Sequence, residues 1–215
     1  MAGAVGVSLA AAFWLPRFHK LGFKGEGMST VELFSDEVVK FEGRALQTGY
    51  YKRVEELLVG ARVSVWLCQY VFAASEKRGW QRSTRILKAV LAAGLRGVDV
   101  RVLFDRPRPG APNAGSNIRT WRSLEMGNVE VRCLAVNKTL HVKLVIVDRE
   151  VLLAGSHNLT NSSLYSPFEL SWECVDSYLV NSAALYFQCL WNGSLSEPFS
   201  DGFKRMGRGG DGRFV

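Results

Sequence analysis

Two short apolar runs separated by three polar residues constrain the fold of this chain most strongly. Leu140–Val147 and Val151–Ala154 consist mainly of aliphatic residues, and the triplet Asp148-Arg149-Glu150 lies between them. Runs of this length and composition are typical of buried strands, and a polar triplet between two strands is typical of a tight turn. The sequence therefore predicts two successive strands inside a sheet.

Strand patterns and helix patterns alternate along the rest of the chain. Further strands are predicted over Val31–Phe34, Val63–Phe72, Val98–Phe104, Val129–Val136 and Glu169–Val175. Helices are predicted over 46–60, Ser83–Ala93, Ile118–Met126 and Ser182–Trp191, the last with Leu185, Cys189 and either Tyr186 or Leu190 facing inward. This alternation predicts an α/β fold built around a central sheet.

The length of 215 residues suits one domain with a tail at each end. We expect a leader over 1–28, the folded domain over 29–195, and a disordered Gly/Arg-rich tail over 196–215. The apolar stretch 2–15 is short for a membrane span, and its positive charges follow it rather than precede it. A disordered leader and a natural start at Met28 are favoured, with a cytoplasmic location; the alternative is membrane association through 2–15.

Charge and cysteine usage narrow the classes of partner. The formal net charge is +7, which favours acidic partners such as nucleic acid or anionic lipid headgroups without choosing between them. Four cysteines lie in apolar runs without a C-x-x-C pair, so we expect buried free thiols in a reducing compartment: Cys68, Cys133, Cys174 and Cys189. The chain has three histidines and no Cys/His cluster, so no metal site and no cofactor is predicted.

Polar residues begin the first of the two opening strands and follow the second. His141 and Lys143 would share one face of a strand, where a lysine can hold phosphate oxygens and an imidazole can act as nucleophile or acid. Ser156 and Asn158 would reach the same oxygens if the two strands pair. A lone His-x-Lys is usually an exposed strand edge, and a lone Gly-Ser-x-Asn is usually a turn. Both in this order within 18 residues indicate a site for an anionic substrate.

The pattern His141-x-Lys143-x4-Asp148 followed by Gly155-Ser156-x-Asn158 resembles the signature of the phospholipase D superfamily. The similarity extends over about Val31–Trp191, and the run from Leu153 to Thr160 looks like the small, single-motif, nuclease-like prokaryotic members. The resemblance implies an α/β/α sandwich with a central mixed sheet flanked by helices. It also implies phosphodiesterase activity without a metal.

The resemblance assigns a role to each residue of the motif. His141 would attack phosphorus and form a phosphohistidine, while Lys143 and Asn158, assisted by Ser156, would hold the non-bridging oxygens. Glu169 stands where nuclease-like members carry a glutamate that hydrogen-bonds the histidine; the alternative is a solvated strand end.

Two residues of the motif receive structural rather than catalytic roles. Asp148 would point to the opposite face of the strand from His141, and it lies at a turn. Gly155 comes directly before Ser156.

The mechanism needs two imidazoles, and this chain carries one copy of the motif. One imidazole attacks, and a second must protonate the leaving oxygen and then activate water. His157 would face away from its neighbour Asn158, and His19 lies in the leader. We therefore expect a homodimer that brings two copies of His141 together.

Clusters of basic residues suggest how a substrate is held. The candidate substrate-binding residues are Lys77, Arg78, Trp80, Arg106, Arg108, Arg119 and Arg122, with Trp121 as a second base-stacking candidate and Lys204, Arg205, Arg208 and Arg213 in the tail. The alternative is that they are solvated faces with the tryptophans packed beneath.

Three functions follow from these residues. The first is a nuclease acting on DNA or RNA with little sequence preference. The others are a lipid phosphodiesterase similar to cardiolipin hydrolases, and a module that binds nucleic acid without cutting it. A basic groove would favour the nuclease, and an apolar rim around the site would favour the lipid enzyme.

Overall fold

The computed structural model describes residues 49–74, 81–165 and 168–207, together with the backbone of three short strands before them. The strands are β1 Val31–Phe34, β2 Lys40–Phe41, β3 Arg44–Ala45, β4 Ser64–Gln69, β5 Asp99–Phe104, β6 Val129–Leu134, β7 Lys143–Val147, β8 Val151–Gly155, β9 Ser171–Cys174 and β10 Ser196–Pro198. The helices are α1 Tyr50–Gly60, α2 Arg82–Leu95, α3 Ala114–Leu124, α4 Asn161–Tyr165, α5 Ser177–Trp191 and α6 Phe199–Gly207.

The central sheet is mixed and has eight strands in the order β1-β9-β8-β7-β4-β5-β6-β10. Neighbours β4, β5 and β6 run parallel, and every other pair in this sheet is antiparallel. The parallel strands are connected through α2 and α3, as parallel pairs require a crossover. Because of these directions, β4 and β8 finish at the same end of the sheet at which β7 and β9 start.

Helices cover both faces of the sheet, which confirms the predicted α/β/α sandwich. The first face carries Val65, Leu67 and Val145, which pack with apolar residues of α1, α2 and α3. The second face carries Trp66 and Ile146, which pack with the buried side of α5. Alternate residues of β4 and β7 thus go to opposite cores, so both strands read as continuous apolar runs.

The predicted inward face of the closing helix is wrong. Helix α5 buries Val180, Ala184, Phe187 and Trp191, whereas Leu185 is 62% exposed and Tyr186 and Cys189 are also exposed. Phe187 stacks between Trp66 of the sheet and Trp191, and these contacts set the rotation of the helix. The sequence of α5 is apolar on both sides, so its periodicity could not show which side faces the sheet. Cys189 therefore corrects the expectation of four buried thiols; the other three are buried.

The predicted tail over 196–215 is wrong for its first twelve residues. Strand β10 pairs with β6, and Phe199 at the start of α6 is buried between Phe104 and Trp121. A three-residue strand and a single anchoring aromatic residue leave too little periodicity to be recognised in a Gly/Arg-rich segment. The folded domain therefore extends to Gly207, and 208–215 lies outside the described residues, as does the predicted leader over 1–28.

Among the residues that the structure describes, no helix combines the length and the apolar character needed to cross a membrane.

Candidate active site

The residues of the polar motif come together at one end of the sheet, where β4 and β8 finish and β7 and β9 start. Gln69, the last residue of β4, lies opposite Lys143, the first residue of β7. Gly155, the last residue of β8, lies opposite Ser171, the first residue of β9. His141 lies two residues before β7, so the strand begins later than the sequence predicted. The motif is therefore assembled by strand register and not by one loop.

The side chain of Lys143 lies against His141. Its Nζ atom is 3.1 Å from Nδ1 and 3.2 Å from Nε2 of the imidazole, and it donates a hydrogen bond of 2.8 Å to the His141 carbonyl. Lys143 is only 6% exposed, whereas His141 is exposed and its ring lies 4.9 Å from that of Tyr70. An ammonium group can only donate, so the imidazole is the acceptor in this contact, and the tautomer decides which ring nitrogen accepts.

The charge of Lys143 is held in a partly dry environment. Burial lowers the pKa of its ammonium group, and the negative charge of Glu169 opposes that shift. A lysine in this state donates strongly because little water competes for its protons.

Ser156 is bound to the backbone of the neighbouring segment. Its hydroxyl accepts from the Leu170 N–H at 2.9 Å and donates to the Leu170 carbonyl at 3.3 Å, and its own N–H donates to that carbonyl. A Cβ atom added at Gly155 would collide with Ser171 and the Leu170 carbonyl, so only glycine permits this close approach. The hydroxyl of Ser156 thus joins two segments of the site, whereas the sequence suggested a direct phosphate contact.

Asn158 follows in a segment that is tied to the end of β4. Its N–H donates to the Ser163 hydroxyl at 2.9 Å, and the next residue, Leu159, pairs with residues 71–73. The side-chain oxygen of Asn158 is buried and finds no hydrogen-bond partner among the described residues. The contacts of its backbone therefore fix the position of Asn158, while its side-chain oxygen is left without a partner among the described residues.

Glu169 contacts a serine rather than the histidine. Its carboxylate accepts a hydrogen bond of 2.7 Å from Ser163, the residue that also binds the Asn158 backbone. Its influence on the site in this structure is through its charge on Lys143.

His157 is fully buried between the start of α1 and the start of β9. Its ring stacks on Tyr50 at 4.1 Å between centroids, and its Nδ1 lies 2.7 Å from the Ser171 hydroxyl. His19 lies outside the described residues. Within those residues, no group of His, Cys, Asp and Glu side chains is arranged to hold a metal ion.

Comparison with known proteins shows the family. The model of the family described as "Cardiolipin synthase, PLD-like domain" matches residues 54–191, which include the whole motif. The chain belongs to this phospholipase D-like family.

Individual relatives of the phospholipase D-like domain carry different names. Mitochondrial cardiolipin hydrolase of Xenopus laevis is 31% identical over 141 residues, which are 66% of this chain and 60% of the hydrolase. Cardiolipin synthase A of Pseudomonas syringae pv. syringae is 34% identical over 124 residues, 57% of this chain and 24% of the synthase. The chain thus spans less than two thirds of the length of either relative.

Solved structures show the same fold. The phospholipase D family member Nuc from Salmonella typhimurium has a TM-score of 0.58 at 23% identity, over 77% of this chain and 95% of Nuc. NucT from Helicobacter pylori has a TM-score of 0.58 at 20% identity, over 76% of this chain and 96% of NucT.

In this phospholipase D-like domain Asp148 lies at the opposite end of the sheet from His141. Its carboxylate accepts hydrogen bonds from the N–H groups of Arg62, Val63 and Ser64, at 2.7 to 3.1 Å. Burial alone would raise the pKa of Asp148, but these three N–H groups together lower it. These contacts favour the structural role that the sequence suggested.

The candidate substrate-binding arginines differ in what they contact. Arg106 donates to the Ala135 carbonyl, and Arg108 donates to Asp105, to the Lys138 carbonyl and to Thr139. Arg119 and Arg122 of α3 are exposed; the first donates to Ser116 and the second lies over the Phe203 ring. Two of the four therefore hold backbone, and two present charge to solvent.

The tryptophan predicted to stack on bases from this region is not available. Trp121 is buried against Phe199 and Phe203, which supports the alternative that it packs beneath the basic residues. Lys77, Arg78 and Trp80 lie outside the described residues.

Several buried polar residues that hold the site escaped the sequence reasoning. Asn117 accepts from the Phe72 N–H and donates to the Tyr70 carbonyl, and Thr120 binds the backbone of 72 and 74. Asp105 accepts from the N–H of Leu140, the residue before His141. Asn113, the residue before α3, recurs at helical spacing with Asn117 and Thr120 on α3, and that spacing was the available signal.

Proposed function

We propose that this chain is a metal-independent phosphodiesterase in which His141 is the nucleophile. The attacking ring nitrogen forms a bond to phosphorus as the bond to the leaving alcohol oxygen breaks, and a second imidazole gives that oxygen a proton. Water then attacks the phosphohistidine and loses a proton to the second imidazole as the phosphorus–nitrogen bond breaks. Lys143 and Asn158 hold the non-bridging oxygens through both steps.

The observation that carries this proposal is the pairing of a buried ammonium with an exposed imidazole. Lys143 brings positive charge to within 3.2 Å of both ring nitrogens while it remains almost inaccessible to water. Burial of a lysine is costly and is tolerated where a function uses the charge. A phosphate group placed over His141 would meet that charge directly.

We propose a homodimer as the source of the second imidazole. The other histidine that the structure describes, His157, is fully buried and held by Tyr50 and Ser171, so it cannot reach the same substrate. The outer side of α5 supports a partner surface, because Tyr178, Leu179, Leu185 and Tyr186 are all exposed there. A two-fold axis that placed two copies of His141 face to face would complete the site.

The first proposed substrate is DNA or RNA, cut internally. The net charge of +7 and the exposed Arg119 and Arg122 would attract a polyanion without base-specific contacts. The fold that this chain shares with Nuc and NucT extends over nearly the whole length of both proteins.

A phospholipid phosphodiesterase is the second candidate, and one feature of the site favours it. Phe168 is 86% exposed and Leu170 is 56% exposed, on either side of Glu169. Exposed apolar residues of this kind form the rim expected of an enzyme that works at a lipid surface. Relatives named cardiolipin hydrolase and cardiolipin synthase point the same way.

Cleavage assays in excess EDTA test the proposal. Labelled single-stranded DNA, double-stranded DNA, RNA and cardiolipin vesicles are each offered to the wild type and to His141→Ala. We expect cleavage of one class by the wild type and a loss of at least about a thousandfold in the variant. Glu150→Ala, which changes an exposed residue at the opposite end of the sheet, is the control and should keep full activity.

Two double variants separate the substrates. Arg119→Glu with Arg122→Glu should reduce nucleic-acid cleavage alone, and Phe168→Asp with Leu170→Asp should reduce lipid hydrolysis alone. Absence of cleavage in every arm would overturn the enzyme proposal and leave a module that binds phosphodiesters without cutting them.

A further inference from the structure

The side chain of Gln69 is polar and buried, and it has no hydrogen-bond partner among the described residues. It ends β4, it is 0% exposed, and neither its amide oxygen nor its amide nitrogen has a hydrogen-bond partner among the described residues. Its neighbours on the same face of β4, Val65 and Leu67, belong to the apolar core. An unpaired amide in such a place destabilises the folded state, so an apolar residue of the same size would suit the core better.

The strand register places Gln69 beside Lys143. The two residues are directly opposite each other in β4 and β7. The next pair is hydrogen-bonded, because the Tyr70 N–H donates to the Val142 carbonyl. Gln69 and Lys143 therefore form a pair without backbone hydrogen bonds, in which the Cα atoms are about 4.5 Å apart and the side chains approach most closely. Both side chains leave the sheet on the same face.

The ammonium of Lys143 has three protons to place and little water to receive them. In this structure they face the His141 carbonyl and the imidazole. The other groups that face Lys143 are the Tyr70 ring, 5.4 Å from Nζ, and the charge of Glu169. Once the imidazole lone pair bonds to phosphorus, it no longer accepts a hydrogen bond from Lys143. The buried carboxamide of Gln69, which leaves the same face of the sheet from the directly opposite position, would then supply a replacement acceptor.

We propose that Gln69 is a positioning residue whose amide oxygen accepts a hydrogen bond from Lys143 when a phosphodiester occupies the site. That contact fixes the ammonium so that its remaining N–H groups point at the His141 carbonyl and at a phosphate oxygen. This inference rests on the proposed function, because it assumes that Lys143 binds phosphate.

Replacement of Gln69 by methionine tests the proposal, because methionine has a similar shape and no amide. We expect kcat/KM to fall about tenfold, mostly in kcat, while the thermal midpoint stays equal or rises by a few degrees. Loss of an acceptor destabilises the charged lysine, so the alkaline limb of the pH–rate profile should move to lower pH. Gln69→Glu should move the same limb to higher pH, because a carboxylate stabilises the ammonium.

A matched control is present on the same strand. The hydroxyl of Ser64, at the opposite end of β4, is also buried without a partner among the described residues. Ser64→Ala should change the thermal midpoint and leave the pH–rate profile unchanged. If Gln69→Met also changes the midpoint alone, Gln69 is a core residue and the proposal is overturned.

A second measurement separates this proposal from the proposed function. The Nζ atom of Lys143 is titrated by nitrogen NMR in wild type, Gln69→Met and Gln69→Glu, with inorganic phosphate present and with Lys143→Arg used for assignment. We expect the pKa of Lys143 to be lower in the methionine variant and higher in the glutamate variant than in wild type. Equal pKa values would overturn the role of Gln69, whereas a wild type that cleaves no substrate would overturn only the proposed function.

Discussion

At the scale of single residues, the two ends of β7 do different work. Lys143 begins the strand and lies against His141, and Asp148 follows its end and binds three backbone N–H groups of the segment that leads into β4. Charge-assisted hydrogen bonds from backbone N–H groups are among the stronger contacts of a folded chain. Asp148 therefore stabilises the pairing of β4 with β7, on which the position of Lys143 depends.

Asp148→Asn should destabilise the protein and leave its chemistry intact. An asparagine oxygen cannot accept from three N–H groups as a carboxylate does, so we expect a loss of about 1–3 kcal/mol in the free energy of unfolding at pH 7. Asparagine tolerates the positive φ of 53° at this position, so backbone strain is not added. Urea unfolding measures the difference, and kcat of the folded variant should equal that of wild type.

The pH dependence of that difference follows from the lowered pKa of Asp148. Its stabilising effect is complete above the usual aspartate pKa of about 4 and is lost as the pH falls through the lower pKa of the folded state. Wild type and Asp148→Asn should thus converge in stability in acid. A gap that persisted at low pH would show that the carboxylate charge is not the cause.

Residue spacing predicted part of this site, and burial explains the rest. His141 and Lys143 alternate on a short segment, so their contact could be expected from strand geometry alone. Gln69 could not be found in that way, because a polar residue inside an apolar run has no local pattern that reveals its partner, and the helical spacing of Asn117 shows that it is buried but not what it binds. Their roles depend on which strand or loop lies opposite, and that is set by the register of the whole sheet.

At the scale of elements, patterns found the strands and failed at the C-terminal segment. Strands near the middle of the sheet are buried on both faces and form apolar runs that the sequence makes obvious. Strand β10 is the outermost strand of the sheet, and β10 and α6 are attached through a three-residue pairing with β6 and one aromatic residue. Their place is determined by tertiary packing against α3 and β5, which no short window of sequence contains.

Phe199→Ala tests whether that segment belongs to the folded domain. Phe199 is fully buried and contacts the rings of Phe104 and Trp121, so we expect a loss of about 3–5 kcal/mol in the free energy of unfolding. Leu195→Ala, a change at a partly exposed residue just before β10, should cost much less. If both variants were as stable as wild type, 196–207 would be dispensable.

At the scale of the whole molecule, the two faces of the sheet are covered unequally. Among the residues that the structure describes, helices α1, α2 and α3 pack on the first face, whereas α5 is the helix that packs on the second, with apolar side chains also on its outer side. The exposed apolar side chains of α5 and the second imidazole that the proposed mechanism requires both support the proposed second copy of the chain. The sequence led to the prediction of a dimer but did not indicate α5 as the proposed surface, because the rotation of α5 was not predictable.

Mixing of wild type with His141→Ala tests the shared site. If each site needs two copies of His141, only dimers of two wild-type chains are active. An equal mixture, after exchange of subunits, should then have about a quarter of the activity of wild type at the same total protein concentration, and not half. Mixing with Glu150→Ala should cause no loss. A fall in simple proportion to the wild-type fraction would mean that each chain has a complete site of its own.

The attachment of β7 at both of its ends gives the motif a fixed length. The Asp148 N–H donates to the Ser64 carbonyl, and at the other end Tyr70 donates to Val142. Five residue steps from Lys143 to Asp148 span about 17 Å of extended chain, which carries β7 from one end of the sheet to the other. The four residues between Lys143 and Asp148 therefore fix the distance between these two side chains and the face of the sheet on which each lies. The side chains of those four residues can be exchanged for others of similar shape, but one inserted residue would turn either the lysine or the aspartate to the wrong face.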